Sequence, residues 1–446
     1  MNILILVIDS LRPDYCGYAG HPTVRTPHLD ALAAEGAVLE RAYAEYPLTV
    51  PWRTAAVSGC YTFTNRPWTP LRPYDHHIAE LLRAAGYRTA AFSDTPFNAE
   101  TGMDRGFDEF EYLPVGKCHP PADPSFECEV RPAYFPPGAD VERQFYRNTM
   151  RNRAYALEHY GAACPELLFD RAIGWLRRHG SERFLLWVDS FGVHEPWIAP
   201  PPYEGMYGST AHQRYIPMPA SDPAAWARPG DLEHLRALYA EEVTHLDAEV
   251  GRLLAEVEEL GLRGNTLVVV ISDHGCPLGE HGRVRKFGVP MYDQLLRMLW
   301  IMRLPSVIRP GTRLTGLVQN TDLAPTLLRW LDLPLPQRQG LSASDDVREF
   351  PPMDGVNLLP LLRGEAQAVR ESAFCGGFGL SGAVVTERWK FVDHRGAEPN
   401  ELFDLTDDPG ESVNRLPEQP GVGAELHRRL FEFGKRWSAA LTWAGL

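Results

Sequence analysis

The sequence predicts an α/β protein, in which a large domain has a mostly parallel sheet between helices and a smaller C-terminal α+β domain has a short antiparallel sheet. Apolar runs that suit strands alternate with amphipathic runs that suit helices, as in parallel sheets covered on both faces. Three of the apolar runs end abruptly in polar residues, and ligands bind beyond such strand ends. After residue 362 the segments become short, so we divide the chain into domains at 1–365 and 366–446.

The elements of the large domain follow from local patterns. Residues 3–8 are continuously apolar and largely β-branched, typical of a strand buried on both faces. Residues 26–36 predict a helix that stops at Gly36. Further strands are predicted over 87–92, 184–188 and 266–271, and further helices over 77–85, 164–179 and 232–262.

The remaining segments divide into a surface excursion and the C-terminal domain. Residues 113–140 are rich in proline and aromatic residues without periodicity, and we expect them to form one wall of a substrate pocket. The C-terminal domain is expected to contain short antiparallel strands and one helix, over 372–374, 383–386, 389–392 and 401–405, and over 422–440.

Composition excludes some functions. The formal net charge of −14 over 446 residues argues against a nucleic-acid binder, which normally has a basic face. The seven cysteines match no metal or redox spacing. The apolar residues 1–8 are too few for a secretion signal or a membrane span, so we expect a cytoplasmic protein without membrane contact. Its expected partner is a small anionic ester, and a homo-oligomer is possible.

Thr49 is the candidate around which the chemistry is organised. Pro51 suits the first position of a helix that continues through a run of small residues and stops at Gly59. Thr49 then lies at the helix N-terminus, where free amide groups and the helix dipole attract anions. Its hydroxyl can serve as a nucleophile towards an anionic ester, and Arg53 lies one turn later. The alternative is that Thr49 only caps the helix.

Two of the polar strand ends predict a metal site. Asp9 follows the first strand, and Asp273 and His274 follow the strand at 266–271. Because parallel strands end at the same edge of a sheet, these residues should converge. Two carboxylates and an imidazole suit one divalent ion, Mn²⁺ or Zn²⁺ rather than Ca²⁺ or Mg²⁺. The alternative for each residue is an ordinary turn or cap.

Two further side chains are candidate donors to substrate oxygens. Lys286 lies in a glycine-rich stretch that would have to fold back over the site. His194 follows another strand end, after Asp189. Together they could donate to a leaving-group oxygen or to transition-state oxygens, although lone Lys and His residues are usually satisfied locally.

The motifs resemble the sulfatase branch of the alkaline-phosphatase superfamily along nearly the whole chain. Thr49 to Arg53 is similar to the family's Cys/Ser-x-Pro-x-Arg signature. The other segments that carry the resemblance are 7–14, 26–30, 86–89, 272–275, 278–282, 286, 401–405 and 408–411.

The resemblance implies a two-domain fold and specific roles. Asp9, Asp273 and His274 would bind the metal, and the Thr49 oxygen would face it. Arg53 would hold the nucleophile or a substrate oxygen, and His194 and Lys286 would contact substrate oxygens.

The first departure from the family is Thr49 itself. Family sulfatases oxidise Cys or Ser at this position to an aldehyde, whose hydrate expels sulfate by collapse. Threonine would give a ketone and has no such route. A phosphoryl or phosphonyl group on threonine can instead be displaced by water, and threonine nucleophiles resemble those of the superfamily's phosphodiesterases and transferases.

The other departures concern charge. Ser10 replaces an acid that many members carry, so we expect one metal with few carboxylates. In residues 93–96, Asp94 and Pro96 replace a Lys and a His that bind sulfate in the family. We therefore expect Asp94, with Thr95 and Asn98, to contact a substrate that is singly charged or carries its own cation.

Three hypotheses follow. The main one is a metal-dependent hydrolase of phosphodiesters or phosphonate monoesters that acts through a covalent Thr49 adduct. The second is a sulfuric-ester hydrolase, or a sulfuryl or phosphoryl transferase, using the same site. The third is a non-catalytic relative that binds a metal and an anion.

Overall fold

The helices and strands alternate along most of the chain. The structure is a computed structural model, which describes residues 1–117, 140–211, 216–219, 222–286, 288–336 and 352–437. The helices are α1 (Pro27–Glu35), α2 (Thr49–Ser58), α3 (Ile78–Ala84), α4 (Asp140–Tyr160), α5 (Glu166–His179), α6 (Asp231–Glu259), α7 (Asp293–Leu296), α8 (Leu323–Trp330), α9 (Leu359–Leu362) and α10 (Pro420–Trp437). The strands are β1 (Asn2–Ile8), β2 (Ala37–Leu39), β3 (Ala42–Tyr43), β4 (Arg88–Ser93), β5 (Glu109–Tyr112), β6 (Phe184–Ser190), β7 (Thr266–Ser272), β8 (Trp300–Arg303), β9 (Thr312–Leu314), β10 (Val318–Gln319), β11 (Ala373–Gly376), β12 (Gly382–Val385), β13 (Trp389–Asp393) and β14 (Glu401–Asp404).

The main sheet has eight strands in the order β5-β4-β6-β1-β7-β8-β2-β9. Every neighbouring pair is parallel except the two pairs that β8 makes, with β7 and with β2. The prediction of a mostly parallel sheet between helices is confirmed. The prediction did not include β8, which is antiparallel to both of its neighbours, β7 and β2.

The core lies on both faces of this sheet. Along β1, Leu4 and Leu6 pack into one buried cluster, while Ile3 and Ile5 pack into another on the opposite face. Successive side chains of a strand point to opposite faces, so a strand with apolar layers on both sides must be apolar throughout. This arrangement explains why β1 has no polar alternation.

The C-terminal residues form a four-stranded antiparallel sheet in the order β11-β12-β13-β14. One face packs on α10, where Phe391 and Leu402 contact Leu426 and Leu430. The other face shares a buried cluster with Tyr43 and other residues from the large domain. The short antiparallel sheet is confirmed, and the boundary at 365/366 stays a prediction.

Some predicted elements agree with the structure and others were missed. The predicted helix over 422–440 corresponds to α10, and its last residues lie outside the described part. Of the excursion at 113–140, residues 118–139 also lie outside the described residues, so its expected role in the pocket stays a prediction. The long helix α4, which follows it, was not predicted.

Two negative findings hold for the described residues alone. Within those ranges, none of the helices combines the length and apolar character that crossing a bilayer requires. Four of the cysteines described there are free thiols, namely Cys16, Cys164, Cys276 and Cys375.

Candidate active site

Three parallel strands bring polar residues to one edge of the main sheet. In the ladder, Ile8 at the end of β1 pairs with Ser190 on β6 and with Ser272 on β7. The residues that follow Ile8 and Ser272 are Asp9 and Asp273, so the fold places them side by side. The predicted convergence of strand ends is present.

The acidic and imidazole side chains form a buried cluster. One ligand atom from each of Asp9, Asp273 and His274 lies within 4.8 Å of the others, and all three residues are fully buried. The Nε2 atom of His274 lies 3.5 Å from Asp273 Oδ2 and 3.9 Å from Asp9 Oδ1. The Oδ2 atom of Asp9 has no hydrogen-bond partner among the described residues. Arg53 Nη1 lies 3.5 Å from this oxygen as an ion pair without a hydrogen bond. A buried carboxylate oxygen without a hydrogen bond is costly, which fits a bound cation as a further partner.

Backbone and hydroxyl groups fix the two carboxylates. The amides of Ser10 and His274 donate to Asp273 Oδ1 over 2.9 and 2.8 Å. The Ser10 hydroxyl donates to Asp9 Oδ1 over 2.8 Å. Ser10 has a φ of 63°, which is uncommon for a residue other than glycine. Ser10 therefore orients both carboxylates.

The His274 ring is held in the state that a metal ligand needs. Its Nδ1 atom lies 2.7 Å from the carbonyl oxygen of Gly275, which can only accept a hydrogen bond. Nδ1 therefore carries the proton, and Nε2 presents a lone pair to the carboxylates. Burial, helped by the charge of Lys286, lowers the pKa of His274 to about 3, so the ring is neutral near pH 7.

The two carboxylates differ in their electrostatic environment. Burial raises the pKa of Asp273, and the neighbouring charge of Asp9 raises it further. Burial also opposes ionisation of Asp9, but the positive charges of Lys286 and Arg53 hold its pKa well below the usual value. Two close, buried carboxylates ionise together when a divalent cation lies between them. The donor set, the geometry and the carboxylate oxygen without a hydrogen bond thus fit such an ion.

Thr49 lies directly beside this cluster. It is the first residue of α2, and Leu48, in an extended conformation, is the residue that caps the helix. The prediction that Pro51 begins the helix was wrong by two residues. Pro51 is the third residue of α2, and proline is accepted there because none of the amide groups in the first turn has a partner within the helix. Thr49 is not the cap, so the capping alternative does not explain its side chain.

Lys286 connects Thr49 with the acidic cluster. Its Nζ atom donates to Thr49 Oγ1 over 3.3 Å and lies 3.3 Å from His274 Nε2 and 3.7 Å from Asp9 Oδ1. The structure therefore brings together a hydroxyl, an ammonium group and a candidate metal site, as the sequence predicted. The glycine-rich stretch does fold back over the sheet edge.

We expected Arg53 to hold the nucleophile or a substrate oxygen, and its described contacts are with Thr49 and with buried carboxylates. The residue is fully buried, and its Nε and Nη2 atoms lie 3.0 and 2.6 Å from Asp189 Oδ1. Its Nη1 atom donates to Asp273 Oδ2 over 2.7 Å and to the Thr49 carbonyl over 3.0 Å. The guanidinium group is thus committed to carboxylates beneath the site. It fixes α2 to the strand ends.

His194 lies near the cluster, but its protonation differs from the expectation. Its Nδ1 atom donates to the carbonyl of Glu195 over 2.6 Å, and its ring stacks on Phe191 with 4.0 Å between centroids. Burial lowers its pKa to about 4, so the ring is neutral near pH 7 and Nε2 is an acceptor. We expected a proton donor, and the charged donor on the described residues here is Lys286.

Asp94, Thr95 and Asn98 are used by the protein itself. Asp94 Oδ1 accepts from the Phe191 amide over 2.7 Å, and the Thr95 hydroxyl donates to Asp189 over 2.8 Å. The Asn98 side chain caps a short 3₁₀ turn through the Thr101 amide. We expected these three side chains to contact substrate, but they are buried and their described contacts are within the protein. A pattern of charges at 93–96 does not reveal which way a side chain points.

Sequence reasoning missed a buried ion cluster beside the site. Arg285 pairs with Glu195 and with Glu142 on α4, and Nη1 of Arg285 lies 3.0 Å from Glu142 Oε1. These residues lie far apart in the chain, so no local pattern marks them. The only signal was their position next to Lys286 and His194.

Comparison with known proteins first gives the class. The fold is shared with the phosphonate monoester hydrolase of Agrobacterium radiobacter, with a TM-score of 0.73, 21% identity, and coverage of 98% of this chain and 96% of that one. The family then follows from the sequence. Residues 1–333 match the family described as Sulfatase, and residues 279–436 match the C-terminal region described as N-sulphoglucosamine sulphohydrolase, C-terminal. The chain belongs to the sulfatase family of hydrolases, whose members generally bind a divalent metal.

Individual relatives are similar over most of their length. The Ulvan-active sulfatase of Formosa agariphila is 27% identical, over 98% of this chain and 82% of its own. The choline-sulfatase of Rhizobium meliloti is 26% identical, over 94% of this chain and 83% of its own.

Proposed function

We propose that this protein is a metal-dependent hydrolase of singly charged phosphorus esters, either phosphodiesters or phosphonate monoesters, and that it acts through a covalent Thr49 adduct. The observation that carries the proposal is the 3.3 Å contact between Thr49 Oγ1 and the Lys286 ammonium beside the Asp9, Asp273 and His274 cluster. An unmodified hydroxyl held there is placed to attack an ester.

The chemistry of threonine favours phosphorus over sulfur. Its hydroxyl is a secondary alcohol, so oxidation gives a ketone and never the aldehyde hydrate on which the family's sulfate release depends. A sulfated Thr49 would lack the hydroxyl whose collapse expels sulfate. A phosphoryl or phosphonyl group on Thr49 can be released by attack of water at phosphorus.

The charge of the site favours a single negative charge on the substrate. The buried carboxylates of Asp9, Asp273 and Asp189 lie with the cations Arg53 and Lys286. Both imidazoles are neutral, because burial lowers their pKa values. With a divalent ion the site carries one net positive charge, which matches a singly charged ester better than a doubly charged phosphate monoester.

The proposed reaction has two balanced steps. First, the Thr49 oxygen forms a bond to phosphorus while the bond to the leaving alcohol breaks. Lys286 donates a proton to the leaving oxygen and takes up the proton of the Thr49 hydroxyl, so that the ammonium is regenerated. Water then attacks phosphorus, the bond to Thr49 breaks, and one proton of the water returns to the Thr49 oxygen.

Asp9, Asp273 and His274 are the residues that would hold the metal. When bound, the ion would supply positive charge beside the Thr49 oxygen, which lowers the pKa of a hydroxyl and neutralises charge on the transferred group. A site of two carboxylates and one imidazole suits Mn²⁺ or Zn²⁺ better than Ca²⁺ or Mg²⁺.

The alternative with specific support is sulfate-ester hydrolysis. It is favoured by the family of the chain and by the names of its relatives, which are mainly sulfatases. The same Thr49, metal cluster and Lys286 would be used, and direct attack of water on sulfur would have to release the Thr49 adduct.

A parallel assay decides between these functions. The protein, loaded with Mn²⁺ or Zn²⁺, is given bis(p-nitrophenyl) phosphate, a p-nitrophenyl phenylphosphonate and p-nitrophenyl sulfate. We expect turnover of one or both phosphorus esters and not of the sulfate. Sulfate turnover without phosphorus turnover would reject the proposal, and activity that needs an added alcohol or amine would indicate transfer.

Two matched variants test the nucleophile. Thr49→Val keeps the shape of the side chain without the hydroxyl and should lower kcat by about a thousandfold or more. Thr54→Val makes the same change one turn later on α2, where the hydroxyl is buried and has no hydrogen-bond partner among the described residues. It should retain kcat. Equal kcat values for Thr49→Val and the wild type would exclude a covalent Thr49 adduct.

A further inference from the structure

We propose that the buried ion pair between Arg285 and Glu195 positions the two groups that flank it, Lys286 and His194, for the reaction. Arg285 and Glu195 are positioning residues here, because neither contacts Thr49. This inference rests on the proposed function, in which Lys286 transfers the protons, and it adds His194 as a second group that faces the substrate.

The contacts of Arg285 are buried and directional. Its side chain is 4% exposed and that of Glu195 is 2% exposed. Its Nε atom donates to Glu195 Oε1 in a short hydrogen bond, and Nη1 donates to Glu142 Oε1 over 3.0 Å and to the Pro219 carbonyl over 3.1 Å. One guanidinium group therefore joins the loop after β6, the loop after β7, the start of α4 and the segment around residue 219.

Each residue of the ion pair is adjacent in sequence to a residue of the candidate active site. Arg285 immediately precedes Lys286, and Glu195 immediately follows His194. The backbone of Arg285 is in the left-handed region, with a φ of 65°. A residue other than glycine is rarely found there unless its surroundings impose it, and such residues cluster at active sites. The ion pair with Glu195 is one of several buried contacts of the Arg285 side chain, and together they hold the turn that directs Lys286 towards Thr49.

A role in stability alone would not explain this pair. Two buried charges lose their hydration, and replacing a buried ion pair by apolar residues of similar volume is often neutral or stabilising. A planar, forked guanidinium instead fixes orientation, because it binds several acceptors in set directions. Orientation is what two substrate-facing side chains on separate loops require, since a misplacement of about 1 Å can lower a rate by about a hundredfold.

Helix α4 takes part through Glu142. One turn after it, Phe145 lies with its ring centroid 6.1 Å from that of His194. The part of α4 that lies beside His194 is thus bound to the Arg285 guanidinium group, which also holds the turn before Lys286.

The first arm of the test measures kinetics. Arg285→Met removes the charge, and Arg285→Lys keeps it on a different geometry. On the phosphorus ester that the wild type hydrolyses, we expect Arg285→Met to lower kcat by about tenfold to a hundredfold with KM changed less than about threefold, and Arg285→Lys to restore part of kcat. In a Lys286→Met background the Arg285→Met change should cause a smaller further loss, because only its effect through His194 remains there.

Arg303→Met is the matched control. Arg303 is as buried as Arg285, with 3% of its side chain exposed, and it pairs with Glu35 and Glu258. Arg303 is the last residue of β8 and pairs with Val268 near the start of β7. The site lies beyond the other end of β7, after Ser272. We expect Arg303→Met and Arg285→Met to have similar unfolding midpoints, whereas their kcat values should differ. An equal kcat loss in both variants would overturn the proposal.

The second arm does not depend on turnover. The imidazole ¹⁵N resonances of His194, assigned by their absence in His194→Gln, report its Nδ1-protonated form. Arg285→Met should shift or broaden them, and Arg303→Met should not. Unchanged His194 resonances in Arg285→Met, with a kcat loss that persists in the Lys286→Met background, would overturn the inference. If the wild type hydrolyses no phosphorus ester, the proposed function fails, and the resonances alone decide whether the pair positions His194.

Discussion

Asp94 shows how burial changes what a single charged residue does. It occupies a position where the resemblance to the sulfatases implies a substrate-binding cation, and we expected it to meet a substrate. Its carboxylate is instead 2% exposed and accepts a hydrogen bond from the Phe191 amide. Burial, only partly offset by that hydrogen bond, raises the pKa of Asp94 to about 7. The residue is therefore expected to affect the pH dependence of stability.

The sign of that dependence follows from proton linkage. Asp94 in the unfolded chain has a pKa near the usual value of about 3.9, below its value in the folded protein. The stability contributed by Asp94 is fully present below about pH 4 and is lost as the pH rises through about 7. Asp94→Asn keeps the acceptor for the Phe191 amide and has no proton to lose. The stability of the variant relative to the wild type should therefore rise between about pH 5 and pH 8.

Urea unfolding of the two proteins across that pH range measures the difference directly. A further neutral variant, Thr54→Val, removes a buried hydroxyl that has no hydrogen-bond partner among the described residues, so its difference from the wild type should not vary with pH. A constant difference between Asp94→Asn and the wild type would show that the pKa of Asp94 is not raised.

At the scale of elements, one arginine joins the first turn of α2 to the ends of two strands. Arg53 lies one turn after Thr49 and pairs with Asp189 on β6 and with Asp273 after β7. Arg53→Met would leave these buried carboxylates without their cation. Loss of one partner of a buried pair destabilises by about 3–5 kcal/mol, and we expect a fall of that size in the free energy of unfolding.

The matched variant for this prediction is Arg53→Lys. Lysine keeps the positive charge but cannot span both carboxylates with a planar fork, so its loss of stability should be intermediate. Denaturant unfolding curves with unchanged slope give both values. A loss below about 1 kcal/mol in Arg53→Met would contradict the view that Arg53 stabilises the strand ends.

Local sequence patterns predicted the strands that are buried along their whole length. The run that became β1 is apolar because layers cover it on both faces, and the same holds for β6 and β7. By contrast, β2 and β8 are only three and four residues long and depend on their neighbours in the sheet for pairing. Such short strands carry no periodicity of their own.

The same distinction separates the predicted and the missed parts of the site. Asp9, Asp273 and His274 could be found because each directly follows a recognisable strand, and parallel strands end at one edge. The ion pair of Arg285 with Glu195 joins residues that are 90 positions apart. Neither the direction of Asp94 nor the role of Arg53 could be read from spacing, because burial and partner choice are properties of the folded chain.

At the scale of the whole molecule, the candidate metal site exists only when the main sheet is assembled. Asp9 follows β1, while Asp273 and His274 follow β7, and β1 and β7 are paired neighbours across 264 residues of sequence from Asp9 to Asp273. An ion that binds all three residues must bind the folded state and not the unfolded chain. Metal binding should therefore stabilise the fold.

The expected result is a concentration-dependent rise in stability. Mn²⁺ or Zn²⁺ at about a hundred times its dissociation constant should add about 2.7 kcal/mol, measured as a shift of the urea midpoint of chelator-treated protein. Asp273→Asn should abolish the shift, because it removes a ligand charge from the centre of the cluster. Asp170→Asn removes a carboxylate that is 45% exposed on α5 and should leave the shift intact. An equal shift in both variants would mean that the ion binds elsewhere on the molecule, since only one of the two substitutions alters the junction between β1 and β7.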